Sequence, residues 1–80
     1  MLLVIEVAGP TQRYDRRIKV PLYARHGVPE VWVIDLENRL VHFHRRPGGG
    51  AYADISATER PALTPIAALP GVAIDLAGIL

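Results

Sequence analysis

The stretch "LLVIEVAGPTQRYDRRIKVPLYARHGVPEVWVID", Leu2–Asp35, decides how the chain is read. It opens on an apolar, branched run, Leu2–Val7, that stops at Gly9 and Pro10, the pattern of a strand closed by breakers. Leu3, Ile5 and Val7 point one way; Leu2, Val4 and Glu6 point the other. A strand apolar on both faces sits centrally in a sheet, covered on both sides. This one begins at Met1, so its neighbours are expected to come from elsewhere.

A helix follows. Thr11 is a candidate N-cap and Asp15 a second one a turn later. Tyr14, Ile18, Leu22 and Arg25 share one helical face, which marks the stripe expected to pack on the sheet. Gly27 is a natural stop, with Arg25 and His26 in the last turn. Pro21 removes a backbone donor and crowds the preceding turn, so a kink, or two short pieces meeting near Val20, is expected. Pro29 restarts the chain, and "EVWVID", Glu30–Asp35, is a strand.

Outward from this stretch, "LVHFHRR", Leu40–Arg46, is a second strand of a β-hairpin whose turn is Leu36–Arg39. "PGGG", Pro47–Gly50, reads as a turn, and Ala51–Ser56 alternates as a third antiparallel strand. Thr58–Pro61 reads as a turn. Leu63–Ile74, broken by Pro65, Pro70 and Gly71, reads as irregular, with Asp75 capping a short helix over Leu76–Leu80. The order is strand, helix, then antiparallel meander: an α/β or α+β sandwich with one helix on one sheet face.

Eighty residues make one small domain with a thin stability margin. Half the residues are apolar, which argues against disorder. The absence of cysteine excludes disulfides and thiolate metal sites. No apolar run approaches the roughly twenty residues that span a bilayer. Met1–Val7 is too short for a signal peptide. A soluble, cytoplasmic protein is expected. The net charge is +1, but Arg13, Arg16, Arg17, Lys19 and Arg25 cluster with only Asp15 to oppose them. Such a patch suits a phosphate backbone, and equally a solvated helix face.

Two charges bear on chemistry. Glu6 lies near the carboxyl end of its strand, where α/β sheets bind ligands. A carboxylate there either binds a hard cation such as magnesium or pairs with an arginine of the next helix. Lys19 is one turn from Asp15 and from Tyr23. It can reach Glu6 and stabilise charge on a phosphate or orient an attacking water, or it is a surface lysine paired with Asp15. His42 and His44 share a strand face at a spacing that can hold zinc, or simply mark a half-exposed face. Trp32 and Phe43 read as core. "PGGG" lacks the lysine and helix of a phosphate-binding loop.

The blocks "LLVIEV", "YDRRIKVPLYARHGVPEVWVIDL" and "VHFHRRPGGGAY" together resemble the Uma-two group, proteins described as restriction endonucleases that share the PD-(D/E)XK nuclease fold. The resemblance covers nearly the whole chain, and Tyr14–Asp35 is its most specific part. It implies a metal-dependent phosphodiesterase acting on DNA, with magnesium as cofactor. Glu6 matches the metal-binding glutamate and the backbone carbonyl of Val7 a second ligand. Lys19 matches the lysine moved to the following helix. Asp15 caps the helix or orients Lys19, Tyr23 supports the pair, and Arg13, Arg16 and Arg17 contact the DNA backbone.

The departures from the family pattern carry expectations of their own. Members are longer, and their first half carries the aspartate of the "PD" element. Ala8, Gly9 and Pro10 stand where members show Ser, Thr or Asp, with only Thr11 conforming. Residues 1–80 are therefore expected to be a partial restriction-endonuclease-like domain, the carboxyl-terminal half, inactive by itself or completed by another chain. The alternative is a non-catalytic remnant that binds or oligomerises through an exposed strand edge.

Overall fold

The computed structural model describes residues 1–9 and 13–80, with the side chains of residues 13–17 outside the description. Its fold is mixed α+β. Strand β1, Val4–Ala8, is followed by helix α1, Arg13–Arg25, and strand β2, Glu30–Asp35. Strands β3, Leu40–Gly48, and β4, Ala51–Thr58, complete a four-stranded sheet of order β1-β2-β3-β4. β1 and β2 run parallel, and the other neighbours are antiparallel. Two short strands, β5, Leu63–Pro65, and β6, Ala73–Asp75, form a second antiparallel sheet.

Every residue of β2 is buried, because both faces of the sheet are covered. On one side Val31 and Val33 pack with Ala8, Tyr52 and the α1 residues Val20, Tyr23 and Ala24. On the other side Trp32, Ile34, Val41 and Phe43 pack beneath Ile66, Ile74 and Leu76 of the β5–β6 segment. The Trp32 and Phe43 rings meet edge to face, with centroids 5.7 Å apart. The molecule is thus three layers deep: helix, main sheet, small sheet.

The end of α1 is set by Gly27. Its φ of 72° is left-handed, which costs glycine little. The Gly27 N–H donates to the Ala24 carbonyl at 3.1 Å and the Val28 N–H to the Tyr23 carbonyl at 3.0 Å. These are the paired bonds of a Schellman motif, completed by packing of Val28 in the same cluster as Tyr23.

Several expectations are corrected. α1 is assigned as one helix through Pro21, not two pieces. Its buried face is Val20, Tyr23 and Ala24, while Ile18 and Leu22 of the expected stripe are exposed; the Tyr14 side chain lies outside the described residues. The two sets lie on opposite sides of a 3.6-residue helix, and the short spacing from Tyr23 to Val28 selects the first. β1 lies at the edge of the described sheet, not centrally. β3 continues through Pro47 to Gly48, so the turn is only Gly49 and Gly50, at φ 62° and 82°. Positive φ at both residues is the two-residue hairpin geometry that matches strand twist. β4 extends to Thr58. The region 63–74 contains β5, Ile66–Val72 turns and most of β6, and Leu76–Leu80 is not helical. Thr11, the first candidate cap, lies outside the described residues, and Asp15, the second, falls inside α1, which already begins at Arg13.

Candidate active site

β1 and β2 pair with Glu6 opposite Val33 and Ala8 opposite Asp35. Paired residues share a face, so Glu6 projects to the helix side. Tyr23, one turn from the end of α1, donates its hydroxyl to Glu6 Oε1 at 2.6 Å. Lys19, one turn earlier on the same side of α1, places Nζ 3.9 Å from the same oxygen. The helix phenol and the helix amine therefore converge on one oxygen of the strand acid. Both charged side chains keep solvent contact, 29% for Glu6 and 45% for Lys19. At that exposure the ion pair adds little to stability, so its geometry is of more interest than its energy. The hydrogen bond to Glu6, then burial, then the nearby negative charge push the Tyr23 hydroxyl up from 10.0 to about 12. It is a proton donor throughout the neutral range.

The backbone of β1 adds a further oxygen. Ala8 turns its carbonyl toward β2, where the Leu36 N–H donates to it at 3.0 Å. Carbonyls alternate along a strand, so that of Val7 points to the other side, along the outer edge of β1. Glu6 and Val7 thus offer a carboxylate and a carbonyl, the hard-oxygen donors that magnesium-class cations take. Among the described residues no group of three His, Cys, Asp or Glu side chains gathers around a common point. The donor chemistry of Glu6 and Val7 suits such a cation.

The other residues singled out in the sequence divide into three groups. Asp15, Arg13, Arg16 and Arg17 fall in the first turns of α1, with side chains outside the description. His42 and His44 project to the helix side opposite Val33 and Val31. His42 Nε2 lies 3.7 Å from Asp35 Oδ2, and the His44 ring meets Tyr52 at 5.8 Å. They are part of the sheet's helix-side layer, away from Glu6 by a full strand. Trp32 and Phe43 are core, as read.

Three polar residues were not singled out. Glu30, fully buried, accepts the Trp32 indole N–H and Arg45 Nε, both at 2.7 Å, and the Ala67 N–H at 3.0 Å. Arg45 also covers the Phe43 ring at 5.2 Å. Glu30 ties β2, β3 and the β5–β6 loop together. Asp35, beside Ala8 at the same end of the sheet as Glu6, holds the hairpin turn by accepting both the backbone N–H and the side-chain amide of Asn38. Tyr52 is buried and donates to the Val28 carbonyl at 2.7 Å, and burial raises its hydroxyl pKa above 10.0. An acid at a strand start followed two residues later by Trp, and an Asp before an Asn-containing turn, were the available signals for the first two.

No helix among the described residues is long and apolar enough to cross a membrane. A comparison with curated proteins gives no match. A family model, Uma2, described as "Putative restriction endonuclease", matches residues 1–77. The α+β arrangement is consistent with a restriction-endonuclease-like core. The family supports a nuclease role in general, which suggests DNA as substrate and a divalent metal. With nearly the whole chain matched, this protein belongs to the Uma2 family of restriction-endonuclease-type proteins.

Proposed function

We propose that this chain carries part of the active site of a magnesium-dependent endonuclease of the PD-(D/E)XK type, hydrolysing DNA phosphodiester bonds. The carrying observation is the meeting of Lys19 Nζ and Glu6 Oε1 at 3.9 Å. Glu6 and the Val7 carbonyl hold the cation. The cation, when bound, supplies Lewis-acid activation of the phosphate and lowers the pKa of a bound water. Lys19 places a positive charge where the phosphorane-like transition state accumulates negative charge, and its N–H groups orient the attacking water. Tyr23 holds Glu6 in place, Asp15 orients Lys19, and Arg13, Arg16 and Arg17 steer the DNA backbone. The remaining ligands are phosphate, water or a carboxylate of another segment or chain.

The test is nicking of supercoiled plasmid and binding of duplex DNA, each with and without magnesium. Magnesium-dependent nicking or binding that Glu6→Ala abolishes supports the reading. Nicking or binding indifferent both to magnesium and to that substitution contradicts it.

One observation favours a second reading, a non-catalytic module that self-associates or binds a partner strand. β1 is an edge of the described sheet, and Ile5 and Val7 on it are 41% and 54% exposed. Such an edge can be extended by a strand of a second chain. Concentration-dependent association on size exclusion, without salt-dependent DNA affinity, favours this reading over the first.

A further inference from the structure

The two groups that approach Glu6 do so unequally. Tyr23 donates to Oε1 at 2.6 Å, while the ammonium of Lys19 stops at 3.9 Å from that same atom. An unobstructed lysine–carboxylate pair closes to about 2.8 Å. The position of the phenol is not set by Glu6. The Tyr23 carbonyl is bonded by the Val28 N–H at 3.0 Å in the helix cap, and the Tyr23 ring packs against the cluster of Ala24, Val28 and Val33. The hydroxyl is therefore delivered to Oε1 by the fold.

We infer that Tyr23 is a positioning residue that occupies Oε1 of Glu6 and keeps the Lys19 ammonium from collapsing onto the carboxylate. Two consequences follow for chemistry at this site. Oε2 of Glu6 stays available to a divalent cation, and Lys19 stays available to a phosphate or a water rather than being spent on its neighbour. The fold thereby keeps an acid and an amine close without letting them neutralise each other. This inference rests on the metal-binding reading of Glu6 given above.

The experiment measures Mn²⁺ binding to the full 80-residue chain by the loss of the free-ion resonance signal, with thermal unfolding of each variant alongside. Tyr23→Phe keeps the packed ring and removes only the hydroxyl. With Lys19 present, it is expected to weaken Mn²⁺ binding about tenfold, the size typical of losing a partner that orients a metal ligand. With Lys19→Met in the background there is no ammonium to collapse, and Tyr23→Phe is expected to change affinity by less than about twofold. A purely structural tyrosine would lower the melting temperature and weaken binding equally in both backgrounds. That result, or no weakening with Lys19 present, overturns the inference while leaving Glu6 as the ligand. Binding that is absent in the unsubstituted chain, or unchanged by Glu6→Gln, overturns the metal reading and this inference with it.

Discussion

Glu30 and Arg45 stand opposite each other on β2 and β3, and their side chains meet at 2.7 Å with the carboxylate fully buried. The same carboxylate serves the Trp32 indole and the Ala67 backbone. Removing it strands three donors at once, one of them charged. Breaking a buried pair from one side costs about 3–5 kcal/mol, a large share of what a domain this small has. Glu30→Ala is therefore expected to be largely unfolded, and Glu30→Gln to retain the fold with a lower urea midpoint. Trp32 fluorescence reports both.

The β5–β6 layer is expected to be as necessary as the helix. Ile66 and Leu76 close the face above Trp32 and Ile34. Truncating either to Ala leaves a cavity costing about 2–4 kcal/mol. The expected readout is a red-shifted Trp32 emission and a lower melting temperature, with α1 helicity retained until unfolding.

The orientation of α1 has a direct test. Ile18→Lys and Leu22→Lys alter exposed positions and should change stability by no more than about 0.5 kcal/mol. Ala24→Asp introduces an unpaired charge among Val28, Val31 and Val33 and should abolish folding. Equal tolerance at positions 22 and 24 in circular dichroism would contradict the packing.

Alkaline pH should destabilise the fold through two phenols. Tyr23 is held at about 12 by its bond to Glu6, and burial raises Tyr52 above 10.0. Both folded-state values exceed those of the unfolded chain, so the folded state retains protons that the unfolded state releases. Their contribution is complete below about pH 10 and is lost as pH rises through the folded values. The urea midpoint should fall over this range, and fall less in Tyr23→Phe and Tyr52→Phe.

The fold was legible where pattern and punctuation agreed. Apolar runs bounded by Gly9, Pro10 and Pro29 marked β1 and β2, and Gly27 marked the helix end. The face of α1 was not legible, because Ile18–Leu22 and Val20–Ala24 are both apolar at helical spacing and only the short connection to β2 separates them. β5 and β6 were missed because three-residue strands between prolines are too short for alternation to register. The pairing of Glu6 with Lys19 has no local signature. A strand acid and a helix amine are brought together by the parallel return of the chain, so the residues offered the pairing only as one of two readings and the family resemblance singled it out. Glu30 was passed over because a lone acid at a strand start reads as solvated, and two of its three donors, on Arg45 and Ala67, come from distant positions.

The most direct test of the central claim is anomalous diffraction from crystals of this chain soaked in Mn²⁺. A metal peak is expected about 2.1 Å from a carboxylate oxygen of Glu6 and from the carbonyl oxygen of Val7, with Lys19 adjacent and not bonded to Glu6. A map in which manganese binds only elsewhere, with the Glu6 carboxylate still held by Tyr23 and Lys19 alone, would contradict it.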